Sequence, residues 1–229
     1  MWRFGLIPAA ILLFCLSFLT PASAGGTVRM VYEERAGVET VRHEYLLEPA
    51  GAGFRLSIAT RAREISEEYA TDASFAILSW RYQDRRRDTA FTAVRAGDTI
   101  HVSGRHRGRP LERRFKAGTI PWKQLFPMGL EALAAGAEKK ADFLAIDPDK
   151  MRIHAFTAGA RGSEAISWRG RRVEAVHIRI TLAGALAPLW HADSWHRAAD
   201  GRYLRYESVN GPGAPLTVKE LIEETDPGD

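Results

Sequence analysis

The residues with the greatest capacity for chemistry lie close together in one short stretch, WHADSWHR at residues 190–197. It combines two histidines with an aspartate and a serine, which are side chains of zinc sites and of hydrolytic triads. A zinc site needs three or four ligands that converge on one point. His191 and His196 are five residues apart, so they would point to opposite faces of a strand and would converge poorly on a helix. Because the motif H-E-x-x-H is also absent, the sequence predicts no metal site.

A nucleophilic enzyme is the second possibility, with Ser194, His196 and an acid from elsewhere in the chain as a triad. The sequence lacks the motif G-x-S-x-G, and Ser163 has no second glycine after it. The motifs S-x-x-K and G-x-G-x-x-G and the P-loop are missing as well. We therefore predict a protein that is not an enzyme and carries no cofactor, while a triad assembled from distant strands stays open.

The N-terminus has the features of a secretory signal peptide. Arg3 precedes an apolar run over residues 6–19, and Ala22 and Ala24 fit the small-residue pattern of a signal peptidase site. The run of about 14 residues is shorter than the ~20 residues that a membrane-spanning helix needs. We predict a cleaved signal peptide over residues 1–24 and a periplasmic location.

The rest of the chain is predicted to form a single domain, residues 25–229, which is long enough for one sizeable core. Cys15 is the only cysteine and lies within the predicted signal. The exported chain would therefore contain neither disulfides nor thiolate metal ligands, and its stability would depend on its core.

Beyond the signal, the dominant pattern is an alternation of apolar and polar residues with a period of two. Val28, Met30 and Tyr32 show it near the start, and residues 176–182 show it again later. Such alternation is typical of strands with one buried face, and turn signals such as Gly51-Ala52-Gly53 recur between them. The sequence predicts a mainly β fold, with one large twisted antiparallel sheet that forms an open or half barrel.

Two segments depart from this alternation. Residues 121–140 begin with a proline, which suits a first helical turn, and then space their apolar residues at helical intervals. They predict a short helical insertion in the sheet. The tail at residues 215–224 is ambiguous, because Thr217 and Glu220 have capping-box spacing whereas the surrounding β pattern favours a strand that closes the sheet.

The stretch 190–208 is best interpreted as a β-hairpin with Asp200-Gly201 at its turn. For a loop of two or four residues, Trp195 would share a face with Leu204 and Tyr206. A curved sheet could hold such side chains around an apolar cavity. The residues predicted to bind a ligand there are Trp195, Leu204, Tyr206, Trp122 and Phe126.

Basic residues occur in short runs at residues 85–87, 105–114 and 169–172, each near turn signals. Charged loops that keep the protein soluble are one interpretation. The alternative is a patch that faces acidic lipid head groups or another anionic partner. A nucleic-acid partner is not expected, because the chain carries an export signal and no nucleic-acid-binding motif.

Several short motifs, taken in their order along the chain, carry a family resemblance. They are the strands up to about residue 116, the segment with Pro121-Trp122, FLAIDP at 143–148, the strand pair 163–166 and 172–176, Ser194-Trp195-His196 with Asp200–Leu204, and Gly211-Pro212-Gly213-Ala214-Pro215. This order resembles an uncharacterised family of exported bacterial proteins, which is similar in turn to the half-barrel fold of periplasmic lipoprotein carriers. The resemblance covers most of the chain and implies a twisted antiparallel sheet wrapped partly around helices. It brings no catalytic residues with it, and fold alone does not determine function.

These observations predict a non-enzymatic periplasmic protein that buries a lipophilic ligand or an envelope component against the concave face of its sheet. Basic loops would contact an anionic head group of that ligand. We expect a monomer without a membrane-spanning segment after signal cleavage. One alternative is a structural or assembly protein that binds envelope proteins through its sheet edges. The other is a hydrolase or metal enzyme whose site is assembled across strands.

Overall fold

The structure is a computed structural model that describes residues 26–124, 128–209, 211 and 213–225, so the predicted signal peptide lies outside the described residues. Within them the chain forms fourteen strands, one α-helix of a single turn and two 3-10 helices. The strands are β1 (Val28–Ala36), β2 (Glu39–Ala50), β3 (Gly53–Thr60), β4 (Ile65–Asp72), β5 (Ile77–Asp84), β6 (Thr89–Ala96), β7 (Thr99–His106), β8 (Arg109–Lys116), β9 (Lys140–Asp147), β10 (Arg152–Trp168), β11 (Arg171–Leu182), β12 (His191–Arg197), β13 (Tyr203–Val209) and β14 (Leu216–Thr225). The helix α1 spans Glu131–Ala134, and the 3-10 helices span Arg61–Arg63 and Gly184–Leu189.

All fourteen strands belong to one antiparallel sheet, in the order β8-β7-β6-β5-β4-β3-β2-β1-β14-β13-β12-β11-β10-β9. Consecutive strands pair with each other, apart from β8 and β9, which form the two edges of the sheet. In addition, the first strand, β1, pairs with the last, β14. The sheet of the described chain is not closed into a barrel. The prediction of a mainly β protein with an open or half barrel is therefore confirmed.

The ambiguous tail is a strand, β14, and it joins the two halves of the sheet. Its pairing with β1 runs from Arg29 opposite Thr225 to Ala36 opposite Thr217. A helix here would leave the facing backbone groups of β1 and β13 without partners, and buried backbone groups require partners. This long-range pairing outweighs the local capping-box signal.

The sheet rolls up so that its edge strand β9 lies inside the molecule. Phe143, Leu144, Ala145 and Ile146 are all buried, whereas a strand with one face in water would alternate between buried and exposed residues. Phe143 and Ala145 pack in a cluster with α1, while Leu144 and Ile146 pack in the main core on the opposite side of the strand.

The free edge of β9 is covered by the segment that follows β8. The N–H of Leu144 donates to the carbonyl of Pro121 at 2.8 Å, and the N–H of Lys123 donates to the carbonyl of Leu144 at 2.9 Å. The carbonyl of Trp122 accepts from the N–H of Ile77 on β5 at 2.7 Å. These bonds connect β9 with the far half of the sheet and hold the roll together.

The helical insertion predicted at residues 121–140 contains one short helix between β8 and β9. Among the residues of this segment that the structure describes, 121–124 and 128–140, only the single turn Glu131–Ala134 is α-helix, and Gly129 and Gly136 adopt positive φ angles of 85° and 72° on either side of it. Leu133 is buried against the inner face of β10 to β12, as its helical spacing predicts. None of the helices in the described chain has the length and apolar character needed to cross a membrane.

The main core is aromatic. Trp80 is fully buried, and its ring lies edge-on to Phe91 and Trp122 with centroid distances of 4.9 and 6.3 Å. Tyr69 stacks on the same ring at 5.8 Å. Edge-on and stacked aromatic pairs of this kind stabilise a core beyond the area that they bury.

Candidate functional site

A cavity of about 370 Å³ lies on the inner face of the rolled sheet, near the strand ends at which β3 ends and β14 begins. Its volume is within the range of small-molecule sites. The lining is unusually rich in tyrosine and in charged groups. It consists of Tyr45, Tyr69, Tyr82, Tyr203 and Tyr206, of Glu34, His43, Arg63, Glu67 and Lys219, and of Ile58, Thr60, Ile65, Gln124, Met128, Pro148, Ser208 and Thr217.

Strand register explains why the tyrosines meet. Tyr45 pairs with Ile58, Ile58 with Glu67, and Glu67 with Tyr82, so these four side chains form one row across β2 to β5 on the inner face. Residues that are directly opposite in an antiparallel sheet point to the same side. Each tyrosine adds an apolar ring and a polar hydroxyl to the wall, so the cavity can contact an apolar body and hydrogen-bond a polar group.

A partly buried ionic cluster centred on Glu34 forms one side of the cavity. Glu34 on β1 is opposite Lys219 on β14, and the Lys219 Nζ lies 3.1 Å from Glu34 Oε2. The Arg63 Nη1 lies 3.1 Å from Glu34 Oε1, and Arg63 also contacts the exposed Glu39. His43 Nδ1 bonds the Thr60 hydroxyl at 2.8 Å. Its other ring nitrogen, Nε2, lies 3.3 Å from Glu34 Oε2.

The surroundings of these groups determine their charges. Burial alone would raise the pKa of Glu34, but the hydrogen bond to His43 and the positive charge of Lys219 hold it well below its usual range. Burial would lower the pKa of Lys219, yet Tyr45 and Glu34 raise it above its ordinary value. Burial lowers the pKa of His43. At neutral pH the cluster therefore contains a carboxylate, an ammonium and a guanidinium beside a neutral imidazole.

Tyr203 contributes a hydroxyl that lacks a partner. Its side chain is 2% exposed, and its buried oxygen has no hydrogen-bond partner among the described residues. By contrast, the ring stacked on it at 4.8 Å, Tyr32, donates its hydroxyl to the carbonyl of Tyr203 at 3.1 Å. A buried polar group that is left unpaired costs stability, so such a group in a cavity wall is a candidate for contact with a ligand.

Glu67 is a second, partly buried carboxylate in the wall. It accepts a hydrogen bond from the Tyr69 hydroxyl and another from Trp80 Nε1 at 3.1 Å. Burial raises the pKa of Glu67 despite these two donors. The carboxylate is therefore satisfied by its own neighbours and links the cavity wall to the aromatic core.

Trp195 lies on the opposite face from that predicted. The hairpin has a four-residue loop, one of the two predicted lengths, and the N–H of Arg197 donates to the carbonyl of Arg202 at 2.7 Å. A β-bulge then shifts the register, so that Trp195 is opposite Arg205 and Ser194 is opposite Tyr206. The prediction that Trp195 shares a face with Tyr206 is wrong, because a one-residue bulge reverses the faces of every later pair.

On the outer face, Trp195 belongs to a polar network. Its ring stacks on His177 at 5.0 Å, and its Nε1 donates to Glu164 Oε1 at 2.7 Å. His177 Nε2 lies 2.6 Å from Asp193 Oδ1, and the Arg179 guanidinium donates to both carboxylate oxygens of Asp193 at 2.8 and 3.1 Å. His191 reaches the same carboxylate at 3.8 Å. The described residues contain no group of three or more His, Cys, Asp or Glu that could hold a metal ion.

The other predicted ligand-binding residues have different positions. Tyr206 lines the cavity. Leu204 is fully buried in the main core beside the bulge, and Trp122 is fully buried there too. Trp122 Nε1 donates to Gln124 Oε1 at 3.3 Å, which positions a residue of the cavity wall. Phe126 lies outside the described residues.

The structure brings Ser194 and His196 together, at 3.3 Å between the serine Oγ and the histidine Nε2. Both side chains are fully buried, and burial lowers the pKa of His196 to about 4. The other ring nitrogen bonds the carbonyl of Gly201 at 3.0 Å, where a triad would have an acid. This pair therefore has neither the substrate access nor the acid that a hydrolytic triad uses.

Sequence reasoning missed Glu34, Lys219 and four of the five cavity tyrosines. One signal was available, because Tyr45 and His43 alternate with polar residues on β2 and so share its inner face. The pairing of β1 with β14 could not be derived in this way, since it joins the two ends of the described chain.

No protein-family model matches the chain, and no curated protein matches it either. Among solved structures, the chain is similar to a β-barrel-like protein of the domain of unknown function DUF1849 from Brucella abortus. The two are 11% identical, the match covers 89% of this chain and 99% of that one, and the TM-score is 0.63.

Two further structures are similar at lower TM-scores. The hypothetical lipoprotein YmcC from Escherichia coli K12 is 12% identical over 85% of this chain and 84% of its own, with a TM-score of 0.41. The LolA superfamily protein NE2245 from Nitrosomonas europaea is 8% identical over 88% and 85%, with a TM-score of 0.27. The resemblance predicted from the sequence, to an uncharacterised domain with a half-barrel fold, is confirmed at the level of the fold by the Brucella protein, and no activity follows from it.

Proposed function

We propose that this chain is a non-enzymatic protein of the bacterial cell envelope, located in the periplasm, that binds a lipophilic molecule in the tyrosine-lined cavity. The observation that carries the proposal is a cavity of about 370 Å³ lined in part by Tyr203, whose buried hydroxyl has no partner among the described residues. The apolar run and small residues at the N-terminus support export.

The chemistry of the wall narrows the ligand to an amphiphile with an uncharged polar group. The tyrosine rings, Ile58 and Met128 supply apolar contact. The formal charges of the wall balance one another, since Lys219 and Arg63 are matched by Glu34 and Glu67. A charged head group would upset this balance among partly buried charges, whereas a hydroxyl or ester could bond Tyr203 without doing so.

The two alternative functions have less support. Binding of another protein by strand addition would need a free sheet edge. β8 carries Arg109, Pro110, Arg113, Arg114 and Lys116, and charge and proline are the features that discourage such pairing. The other edge, β9, is covered by the segment around Trp122. A hydrolase built on Ser194 would need that buried side chain to become accessible.

The test is ligand uptake by protein that has been stripped of lipid. Monooleoylglycerol, with an uncharged head, and oleate, with an anionic head, are titrated into the stripped protein by calorimetry. We expect binding of monooleoylglycerol, and a three- to tenfold loss of affinity in Tyr203→Phe, as expected for one hydrogen bond. Trp195→Phe, on the outer face, is the matched control and should bind like the wild type.

Native mass spectrometry of protein purified from a cell-envelope extract gives an independent readout. A retained small molecule with an acyl chain supports the proposal. Protein that emerges from the extract without a ligand and also takes up neither probe would refute it. Equal losses of affinity in Tyr203→Phe and Trp195→Phe would refute the assignment of the cavity as the site.

A further inference from the structure

The antiparallel strand order brings alternate strand connections to the same end of the sheet. One end carries the connections that follow β1, β3, β5, β7, β9, β11 and β13, and we call it the loop rim. The parts of the loop rim used below are residues 37–38, 61–64, 85–88, 107–108 and 183–190, with the strand ends beside them. Short contacts join neighbouring connections, such as Arg86 to Glu64 at 3.2 Å and the Gly108 N–H to the Asp88 carbonyl at 2.9 Å.

One half of the loop rim exposes large apolar side chains. Val38 is fully exposed at the tip of its turn, and Leu189 and Leu186 are 74% and 55% exposed. Val209 and Leu216, at the facing ends of β13 and β14, are exposed as well. These positions belong to three successive connections along the rim, and they include five of the nine exposed large apolar side chains of the described chain. Exposed apolar side chains that cluster in this way are typical of an interaction surface.

The other half of the loop rim is basic. The connections at residues 61–64, 85–88 and 107–108 contain six arginines and two acidic residues. Some of these arginines have ion-pair partners, as Arg86 does. Arg85, Arg107 and the neighbouring Arg109 are exposed and have no ion pair within the described part of the chain. Unpaired guanidinium groups are strong ligands of phosphate oxygens.

We infer that the loop rim docks on the surface of an anionic lipid bilayer. The apolar tips would enter the boundary between head groups and acyl chains, and the arginines beside them would contact lipid phosphates. The apolar residues lie on three separate connections and their side chains are exposed to water, which suits shallow insertion at several points. The mixture of apolar tips and unpaired arginines along one rim is complementary to the two layers of a bilayer surface.

The cavity lies beside the same rim. Thr60 and Ile65 flank the β3–β4 connection, and Ser208 and Thr217 flank the β13–β14 connection, and all four line the cavity. Docking would thus bring the cavity close to a membrane, where lipophilic molecules reside. The inference about the rim does not depend on the cavity ligand, and the two are measured separately.

The experiment is flotation of the exported protein with lipid vesicles. Phosphatidylcholine vesicles are compared with vesicles in which about one third of the lipid is phosphatidylglycerol. Leu186→Ser/Leu189→Ser tests the apolar half and Arg85→Ser/Arg107→Ser tests the basic half. Arg171→Ser/Arg172→Ser is the matched control, since these exposed arginines lie at the opposite end of the sheet. All proteins have the same N-terminus, so differences between them report on the changed side chains.

We expect binding to the anionic vesicles, weakened about tenfold by either rim variant and less than twofold by the control. Added salt should weaken the wild type but have little further effect on Arg85→Ser/Arg107→Ser. Tyr203→Phe should bind vesicles like the wild type even if its ligand uptake is impaired, which separates this inference from the proposed function. Absence of vesicle binding by the wild type, or equal losses in the rim and control variants, would overturn it.

Discussion

Tyr203→Phe should make the ligand-free protein more stable, an unusual direction for a change at a buried residue. The substitution removes one oxygen, which is buried and unpartnered among the described residues, and leaves the aromatic ring in place. Leaving such a group unsatisfied costs about 1–3 kcal/mol. We therefore expect a gain of about 1–2 kcal/mol in the free energy of unfolding.

Tyr32→Phe is the matched control for this prediction. The two rings stack at 4.8 Å and are both buried, but the Tyr32 hydroxyl donates a hydrogen bond to the Tyr203 carbonyl at 3.1 Å. Its removal should cost about 1 kcal/mol, so the two variants should shift stability in opposite directions.

Urea denaturation of lipid-free protein, followed by circular dichroism, measures both changes. In a thermal melt of the same proteins, a gain of 1 kcal/mol would raise Tm by about 2–4 °C for a protein of this size. Saturating monooleoylglycerol should narrow or reverse the advantage of Tyr203→Phe, because only the wild type offers a hydroxyl to the ligand. If Tyr203→Phe destabilised the ligand-free protein as much as Tyr32→Phe, the Tyr203 hydroxyl would have a partner and the argument for a ligand at this position would fail.

Three further predictions concern the cluster, pH and packing. Lys219→Met should lower the free energy of unfolding by about 3 kcal/mol, because it leaves the Glu34 carboxylate less well compensated. In a double-mutant cycle measured with urea, the double variant Glu34→Gln/Lys219→Met should lose at least 1 kcal/mol less than the sum of the two single changes. Additive losses would mean that the pair is not coupled. Burial lowers the pKa of His196 to about 4, so between pH 6.5 and 4 the unfolded chain binds more protons than the folded one, and stability should fall as the pH is lowered. His196 contributes about 3 kcal/mol to that fall, and His196→Gln should flatten this part of the pH profile of unfolding, while an unchanged slope would assign the titration to other groups. Gly104→Ala should lower the free energy of unfolding by about 2–3 kcal/mol, because the φ angle of Gly104 is +143° and an added Cβ would lie 2.4 Å from the carbonyl oxygen of Ala90. A melting temperature equal to that of the wild type would show that β6 and β7 can separate locally at this point.

The cavity could be predicted only in part. Tyr206 was predicted to face a cavity and lines it, because the alternation on β13 is regular beyond its bulge. Trp195 was placed on the wrong face, since nothing in the residue types near Leu204 announces a bulge, and one inserted residue changes the side of the sheet on which each pair lies. Lys219 looked like an ordinary polar residue of an ambiguous tail, and its partner Glu34 is near the other end of the described chain.

The sequence by itself determined the class of architecture. Period-two alternation makes each strand bury one face, and frequent turn signals make neighbouring strands pair as an antiparallel meander, so a large open β sheet follows from local rules alone. Only the tertiary structure decided how that sheet rolls, with β9 inside and β14 beside β1, and therefore which side chains meet in the cavity. The physical reason is that a strand's own pattern specifies which of its residues face inward, while the identity of the residues opposite depends on register and on pairings between distant parts of the chain.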